Sequence, residues 1–273
     1  MARIKSFTII YEDDSIIAVN KASGIAVTGE RWDTEAPRLD LLLKQALNFR
    51  TEANTEPELY IVHRIDKETS GLVIFAKNSK VHRSLSEAFE KRRVEKTYIA
   101  VIHGRPSWPG GKASCDLPLV SDGNKKHLTI IDKFNGKSSQ TDFTLLLSAG
   151  NYSVVEARPK TGRTHQIRVH LSALGFPIVC DLLYGRHARS GKETGVYLSS
   201  FKRDWRGDQI EERPLLDRLG LHAALLKING DFNGDAGIGF GEERTAKFLS
   251  LEAPMPKDMA SLINQMEKTA VLY

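Results

Sequence analysis

Asp66 stands in the run His63-Arg64-Ile65-Asp66-Lys67-Glu68-Thr69-Ser70-Gly71, directly ahead of the apolar stretch Leu72-Val73-Ile74-Phe75-Ala76. A Thr-Ser-Gly turn feeding a buried strand lifts a side chain out of a rigid sheet and presents it to a cleft, where sites form. Glu68 is the only other acid in the motif. That argues against the paired carboxylates of most glycosidases. A lone ionised carboxylate serves instead as a nucleophile or an electrostatic stabiliser, and it needs a cation to stay ionised. The stretch Gly162-Arg163-Thr164-His165-Gln166-Ile167-Arg168-Val169-His170 offers one in Arg168, placed near the positive end of a helix beginning about Thr164. Each residue also has a plainer reading. Asp66 can be a turn aspartate bonding the backbone near Thr69, and Arg168 a surface arginine on its helix. At this level both stay open.

Other chemistry-bearing residues are less specific. Tyr98, in the β-rich run Lys96–Ile102, has sheet packing as its default role, and a flat base to stack on as its functional one. Arg163 reads as a loop residue bonding phosphate or backbone. His165 and His170 are five apart, which does not put two ligands on one helical face, so no metal site is expected. Gly237-Ile238-Gly239-Phe240-Gly241 lacks the strand–turn–helix context of a nucleotide loop.

The elements that must position these residues follow from periodicity and punctuation. Phe7–Tyr11 and Ser15–Val19 read as strands, Asp40–Leu47 as a short helix, and residues 49–58 as loop. Tyr60–Val62 leads into the Asp66 motif, and Leu72–Lys77 continues as strand. Asn78 or Ser79 is placed to cap a helix whose apolar residues Val81, Leu85, Ala88 and Phe89 share one face. Further strands are expected at Lys96–Ile102, Leu128–Ile131, Asp142–Leu147, Tyr152–Ala157, Leu221–Ile228 and Phe248–Leu251. Thr164 can cap a helix from His165 to Leu174, with Gly175 as its stop. Residues 186–218 read as a charged insertion or lid, and Lys257–Thr269 as a C-terminal helix. Many strands with few, scattered helices point to an α+β fold: a long mixed or antiparallel sheet with flanking helices and loops.

Composition sets the bounds. The 273 residues are 41% hydrophobic and 27% charged, ordinary for a globular protein, and long enough for a proper core. No apolar run reaches the roughly 18 residues of a membrane span. Two cysteines, Cys115 and Cys180, make neither a disulfide framework nor a zinc site. With no signal-peptide core at the N-terminus, a reducing cytoplasm is the expected compartment. The net charge of +5 points to a polyanionic partner. The basic clusters are Lys91-Arg92-Arg93, Lys125-Lys126-His127, Arg186-His187-Ala188-Arg189 and Lys202-Arg203.

Read in order, the motifs resemble the RluA-type pseudouridine synthases. The matching segments are Ile9–Asp14, Val19-Asn20-Lys21, His63–Asp66 with Thr69–Gly71, Glu95–Tyr98, Gly162–His170, Gly175–Val179, Asp181, Leu183-Tyr184-Gly185, Arg218, Leu221-His222-Ala223 and Leu251–Pro254. The resemblance covers about residues 8–257 and implies a single catalytic domain over 1–273, ending in the 257–269 helix. It further implies that Asp66 is the catalytic aspartate, that Arg168 pairs with it, and that Tyr98 stacks on the target base. Arg64 would enter the RNA stack and hold the target nucleotide out, with His63, Arg163, Thr164 and His165 as further substrate-binding residues. The substrate would be a structured tRNA or rRNA, extruding its target base. Neither cofactor nor metal is implied, and the chain is expected to act as a monomer without an obligate protein partner. Ala22 stands where the family usually has Pro, and Cys180 and Leu182 replace the usual Gly and Pro around Asp181. The small N-terminal RNA-binding domain of many relatives is expected to be absent.

Overall fold

The computed structural model describes residues 6–29, 37–51, 58–122, 128–185, 195–201, 212–229 and 248–270. In chain order they form β1 (Phe7–Glu12), β2 (Ile16–Lys21), α1 (Leu39–Thr51), β3 (Tyr60–Ile61), β4 (Ser70–Ala76), α2 (Ser79–Glu90) and β5 (Val94–His103). Next come β6 (Lys112–Cys115), β7 (Leu119–Ser121), β8 (Thr129–Ile131), β9 (Thr141–Ala149), β10 (Tyr152–Pro159) and α3 (Gln166–Ala173). The chain closes with β11 (Leu221–Asn229), β12 (Phe248–Glu252) and α4 (Lys257–Thr269). The α+β class expected from the pattern is the one observed. Two compact units divide the chain: Met1–Lys96 with Ala223–Pro254, and Thr97–His222 with Met255–Tyr273.

In the first unit the strand order is β1-β2-β4-β11, with β3 pairing β4 and β12 pairing β11. The β1–β2, β2–β4 and β11–β12 ladders are antiparallel. Every residue of β4 is buried, as an apolar run without alternation requires of a strand covered on both faces. Val81, Leu85 and Ala88 of α2 pack with Ile16, Ala18, Leu72 and Ile74 in one apolar cluster. Of the two candidate caps, Asn78 is the one used: its Oδ1 accepts the Val81 N–H at 2.9 Å. At the exit of β2, Ala22 donates its N–H to the Ser6 carbonyl at 3.0 Å. The proline usual at this position has no N–H and could not make that bond.

The second unit orders its strands β5-β10-β9-β6, with antiparallel ladders, beside a separate β7–β8 ribbon. Ile167 and Leu171 of α3 pack with Ala100, Ile102, Phe143, Val155 and Ala157. Met259, Leu262 and Met266 of α4 pack with Val101, Val154 and Val179. The α4 bounds match the expected helix.

Elsewhere the structure differs from expectation. Helix α1 runs to Thr51, into residues expected to be loop; 52–57 lie outside the described residues. Strands β6 and β7 went unmarked by the pattern, because Lys112-Ala113-Ser114-Cys115 is half polar and owes its extended form to pairing with β9. Thr164 does not cap α3: the helix starts at Gln166, and its N-cap is His165, in the left-handed conformation (φ 52°) without a side-chain cap bond. Arg168 is therefore in the first helical turn. Of the 186–218 insertion, 186–194 and 202–211 lie outside the described residues. The remainder joins the second unit's core, where Val196 and Leu216 bridge and are both buried. The basic clusters at 125–127, 186–189 and 202–203 and the glycines at 237–241 also lie outside the described residues. Among the described residues no helix is long and apolar enough to cross a membrane.

Candidate active site

The loop carrying Asp66 is held by its own carbonyl groups. Thr69 donates its N–H to the Asp66 carbonyl at 3.1 Å, closing the turn. The Lys67 carbonyl accepts from Gly24 N at 2.9 Å and from Lys21 Nζ at 3.0 Å, and Lys21 Nζ also reaches the Ala22 carbonyl at 2.9 Å. Lys21 is 1% exposed, so these carbonyl dipoles substitute for the water its ammonium has lost. Ser23 Oγ bonds the Glu68 carbonyl at 2.5 Å. Beyond the turn, Gly71 has φ 119°, and a Cβ there would lie 2.2 Å from the Ala223 carbonyl, so only glycine fits. Asp66 is half-buried at this turn, and Arg64 is exposed.

His63 is used inside the same unit. Its ring stacks on Phe89 at 4.8 Å between centroids, and Nε2 accepts the Ile74 N–H at 3.0 Å. Burial of the ring, then the nearby Lys96 ammonium, pushes its pKa down to about 3. The imidazole is neutral, and it ties the approach to Asp66 to strand β4.

In the second unit Arg168 is 2% exposed and held by a carboxylate that the residue pattern did not single out. Its Nε and one terminal nitrogen donate to the two oxygens of Asp181, both at 2.8 Å. Its guanidinium carbon also lies 5.2 Å from the centre of the Tyr184 ring. Asp181 further accepts the N–H groups of Leu183 (2.9 Å) and Tyr184 (3.1 Å). Burial works to raise the Asp181 pKa, but Arg168 and these amides outweigh it and hold the carboxyl below its ordinary value. The preceding Cys180 has φ 56°, in the left-handed region that favours glycine.

Two further tethers fix this helix. His170 is fully buried, with Nδ1 3.0 Å from Thr141 Oγ1 and Nε2 3.1 Å from both Ser139 Oγ and the Leu117 carbonyl. Gln166 Oε1 accepts from Thr161 Oγ1 (2.7 Å) and Arg163 N (3.0 Å), while its Nε2 donates to the Gln140 carbonyl and Thr141 Oγ1, both at 2.9 Å. His165 Nδ1 lies 2.8 Å from the Tyr184 hydroxyl, which accepts the Thr129 N–H at 2.7 Å. Arg163 donates Nε to the Ser138 carbonyl at 3.1 Å, and Thr164 is exposed. Tyr98 lies on β5 opposite Ala157 and is partly buried against the unit's core.

The structure thus draws Arg163, His165 and Arg168 onto one helix start in the second unit, and His63, Arg64 and Asp66 onto one loop in the first. Residue reasoning missed the holding roles of Lys21, Asp181 and Tyr184. All three lie in motif segments, but no spacing rule links Asp181 to Arg168 across a helix end and a turn.

A family model described as RNA pseudouridylate synthase matches residues 15–173, more than half of the chain. The chain is 38% identical over 197 residues to a ribosomal large subunit pseudouridine synthase D of Borreliella burgdorferi, covering 71% of this chain and 59% of that protein. It is 31% identical over 270 residues to an uncharacterized RNA pseudouridine synthase of Bacillus subtilis, covering 98% and 75%. A ribosomal large subunit pseudouridine synthase C of Rickettsia bellii shares 40% identity over 67% of this chain and 58% of its own length. The chain therefore spans about six-tenths of two of these three relatives. Among solved structures, human RNA pseudouridylate synthase domain containing 4 aligns with a TM-score of 0.69 at 22% identity, over 95% of this chain and 92% of the other.

Proposed function

Because this chain belongs to the RNA pseudouridylate synthase family, we propose that it isomerises uridine to pseudouridine in RNA, with Asp66 as the catalytic carboxylate. The reading is carried by one observation: the family match over residues 15–173 spans the Asp66 turn, Tyr98 and Arg168. In the reaction the N1–C1′ glycosidic bond breaks, the uracil turns, C5 joins C1′, and the C5 proton passes to solvent while N1 gains one. Redox state is unchanged and no energy source is consumed. A carboxylate near C1′ or C6 can form the covalent or ion-paired intermediate, while a desolvated site keeps the detached base from leaving. In this reading Arg168 keeps Asp66 ionised and Tyr98 stacks on the uracil. Arg64 fills the gap left by the extruded nucleotide, whose unstacking costs a few kcal/mol. His63, Arg163, Thr164 and His165 shape the surroundings of the bound RNA.

Relatives named for the large ribosomal subunit favour rRNA over tRNA as the substrate. An RNA substrate fits the net charge of +5, and the same reading has the chain act as a monomer in the cytoplasm. The test maps pseudouridine in total RNA from cells with the wild-type protein, without it, and with Asp66→Asn. Sites should appear only with the wild type, while the variant binds RNA and melts like it. Activity surviving in Asp66→Asn overturns the role of Asp66, and no site dependent on the wild type overturns the enzyme.

A further inference from the structure

The segment joining β8 to β9 makes an unusual mount. Phe134 at its tip is 96% exposed, and Ile130 (41% exposed) and Ile131 (37% exposed) of β8 are also open to water. The turn beneath it is tightly fixed. Asp132 Oδ1 accepts the N–H groups of Phe134 (2.8 Å) and Asn135 (3.0 Å), and its Oδ2 accepts the Asn135 amide at 3.1 Å. Gly136 donates its N–H to the Asp132 carbonyl at 2.9 Å, and a Cβ on Gly136 would lie 2.3 Å from that oxygen. Lys137 and Leu119 exchange two backbone bonds, of 2.8 and 3.0 Å, tying the far end of the turn to β7. A large apolar ring is thus held out in water on a rigid base, where packing within the unit gains nothing from it.

Its surroundings say what it meets. Lys133 and Lys137 on either side are exposed, and Arg163 bonds the Ser138 carbonyl at the end of the turn. Asp132 is the only acid between residues 128 and 140, and both its oxygens are engaged in the turn. An aromatic face bordered by cations, with the nearby carboxylate tied inward, suits a base and its phosphates better than a protein surface.

We propose that Phe134 is a stacking platform for an unpaired base of the substrate RNA, with Lys133 and Lys137 holding the neighbouring phosphates. The inference rests on the proposed RNA-modifying function and adds to it a contact site on the β8–β9 turn. A rigid mount favours binding because little ordering is left to do when RNA arrives.

The test uses total RNA from cells lacking the protein, with filter binding for affinity and pseudouridine formation at limiting enzyme for turnover. Phe134→Ala should weaken binding and limiting-enzyme conversion by about ten-fold, leaving single-turnover conversion of saturated RNA unchanged. Phe134→Leu should behave like Phe134→Ala, because it keeps apolar bulk but lacks a flat face, whereas Phe134→Trp should bind like the wild type. The pair Lys133→Gln with Lys137→Gln should reduce the slope of log affinity against log salt by about 1.4. Phe49→Ala, removing an 89% exposed ring on α1, should change nothing. The proposal is overturned if Phe134→Ala binds within two-fold of wild type, if Phe134→Leu is indistinguishable from wild type, or if Phe134→Ala alters self-association alone. Wild-type protein that forms no pseudouridine while the Phe134 effect on binding persists would remove the enzyme reading and keep the RNA contact.

Discussion

Around Asp66 the fold holds a loop by its carbonyl oxygens; around Arg168 it holds a side chain by a buried counter-charge. In the first region Lys21 Nζ and the Gly24 amide grip the backbone at Lys67. In the second, Arg168 and Asp181 are both almost wholly buried and joined by two charge-assisted hydrogen bonds. The loop of the proposed catalytic acid is thus mounted on backbone. A cation that must not move is mounted on an ion pair. The two regions should therefore answer mutation differently: the first in activity, the second in stability.

The sharpest way to break this contrast is Asp181→Ala. It removes both carboxylate acceptors of a buried guanidinium and should lower stability by about 3–5 kcal/mol in chemical denaturation, well beyond the effect of Asp66→Asn. Replacing both partners, as in Arg168→Met with Asp181→Leu, should recover much of that loss while remaining inactive. Equal denaturation midpoints for Asp181→Ala and Asp66→Asn would erase the distinction.

A smaller effect is expected at the backbone grip. Lys21→Met removes the Nζ–H donors from the Ala22 and Lys67 carbonyls and should destabilise by about 1–3 kcal/mol. Because the Lys67 carbonyl keeps its Gly24 bond, the Asp66 turn should shift rather than melt. KM should then hold while kcat falls. A variant with wild-type kcat and reduced stability would make Lys21 a stability residue only.

The most gradual effect is one of pH, spread over several pH units. His63 is neutral in the fold, with a pKa near 3 against an ordinary value of 6.5. Between those values the unfolded chain binds the proton and the folded one does not, so stability falls as the pH drops from 6.5 toward 3. The slope from this group is at most about 1.4 kcal/mol per pH unit. Asp181, with its carboxyl pKa held down, adds loss only below the ordinary carboxylate range. Acid loss beginning near pH 6.5 and flattened by His63→Gln assigns it to the first region. The same loss flattened instead by His170→Gln assigns it to the second, where burial also lowers the pKa of the His170 imidazole.

Much of the frame is legible in the residues alone. The buried run of β4, the amphipathic face of α2 and the bounds of α4 follow from periodicity, because each element buries a face its own sequence defines. The short edge strand β6 was not legible, since Lys112-Ala113-Ser114-Cys115 is extended by its partner β9 and not by its own pattern. The start of α3 was misread for a related reason. Thr164 has the chemistry of a cap, but Gln166 is anchored to Thr161, Gln140 and Thr141, and that tertiary anchoring places the helix one residue later.

The sequence alone determined the chemistry available: one acid in a glycine-bounded turn, an arginine at a helix start, a tyrosine on a strand, and the ordered motifs that join them to a family. Those are local or collinear properties, written into residue types and their order. Only the tertiary structure decided what holds each group still. Lys21 reaches the Lys67 carbonyl across 46 residues, and Arg168 finds Asp181 across 13. The partner of a buried charge is set by where the chain returns in space, and no local spacing encodes that.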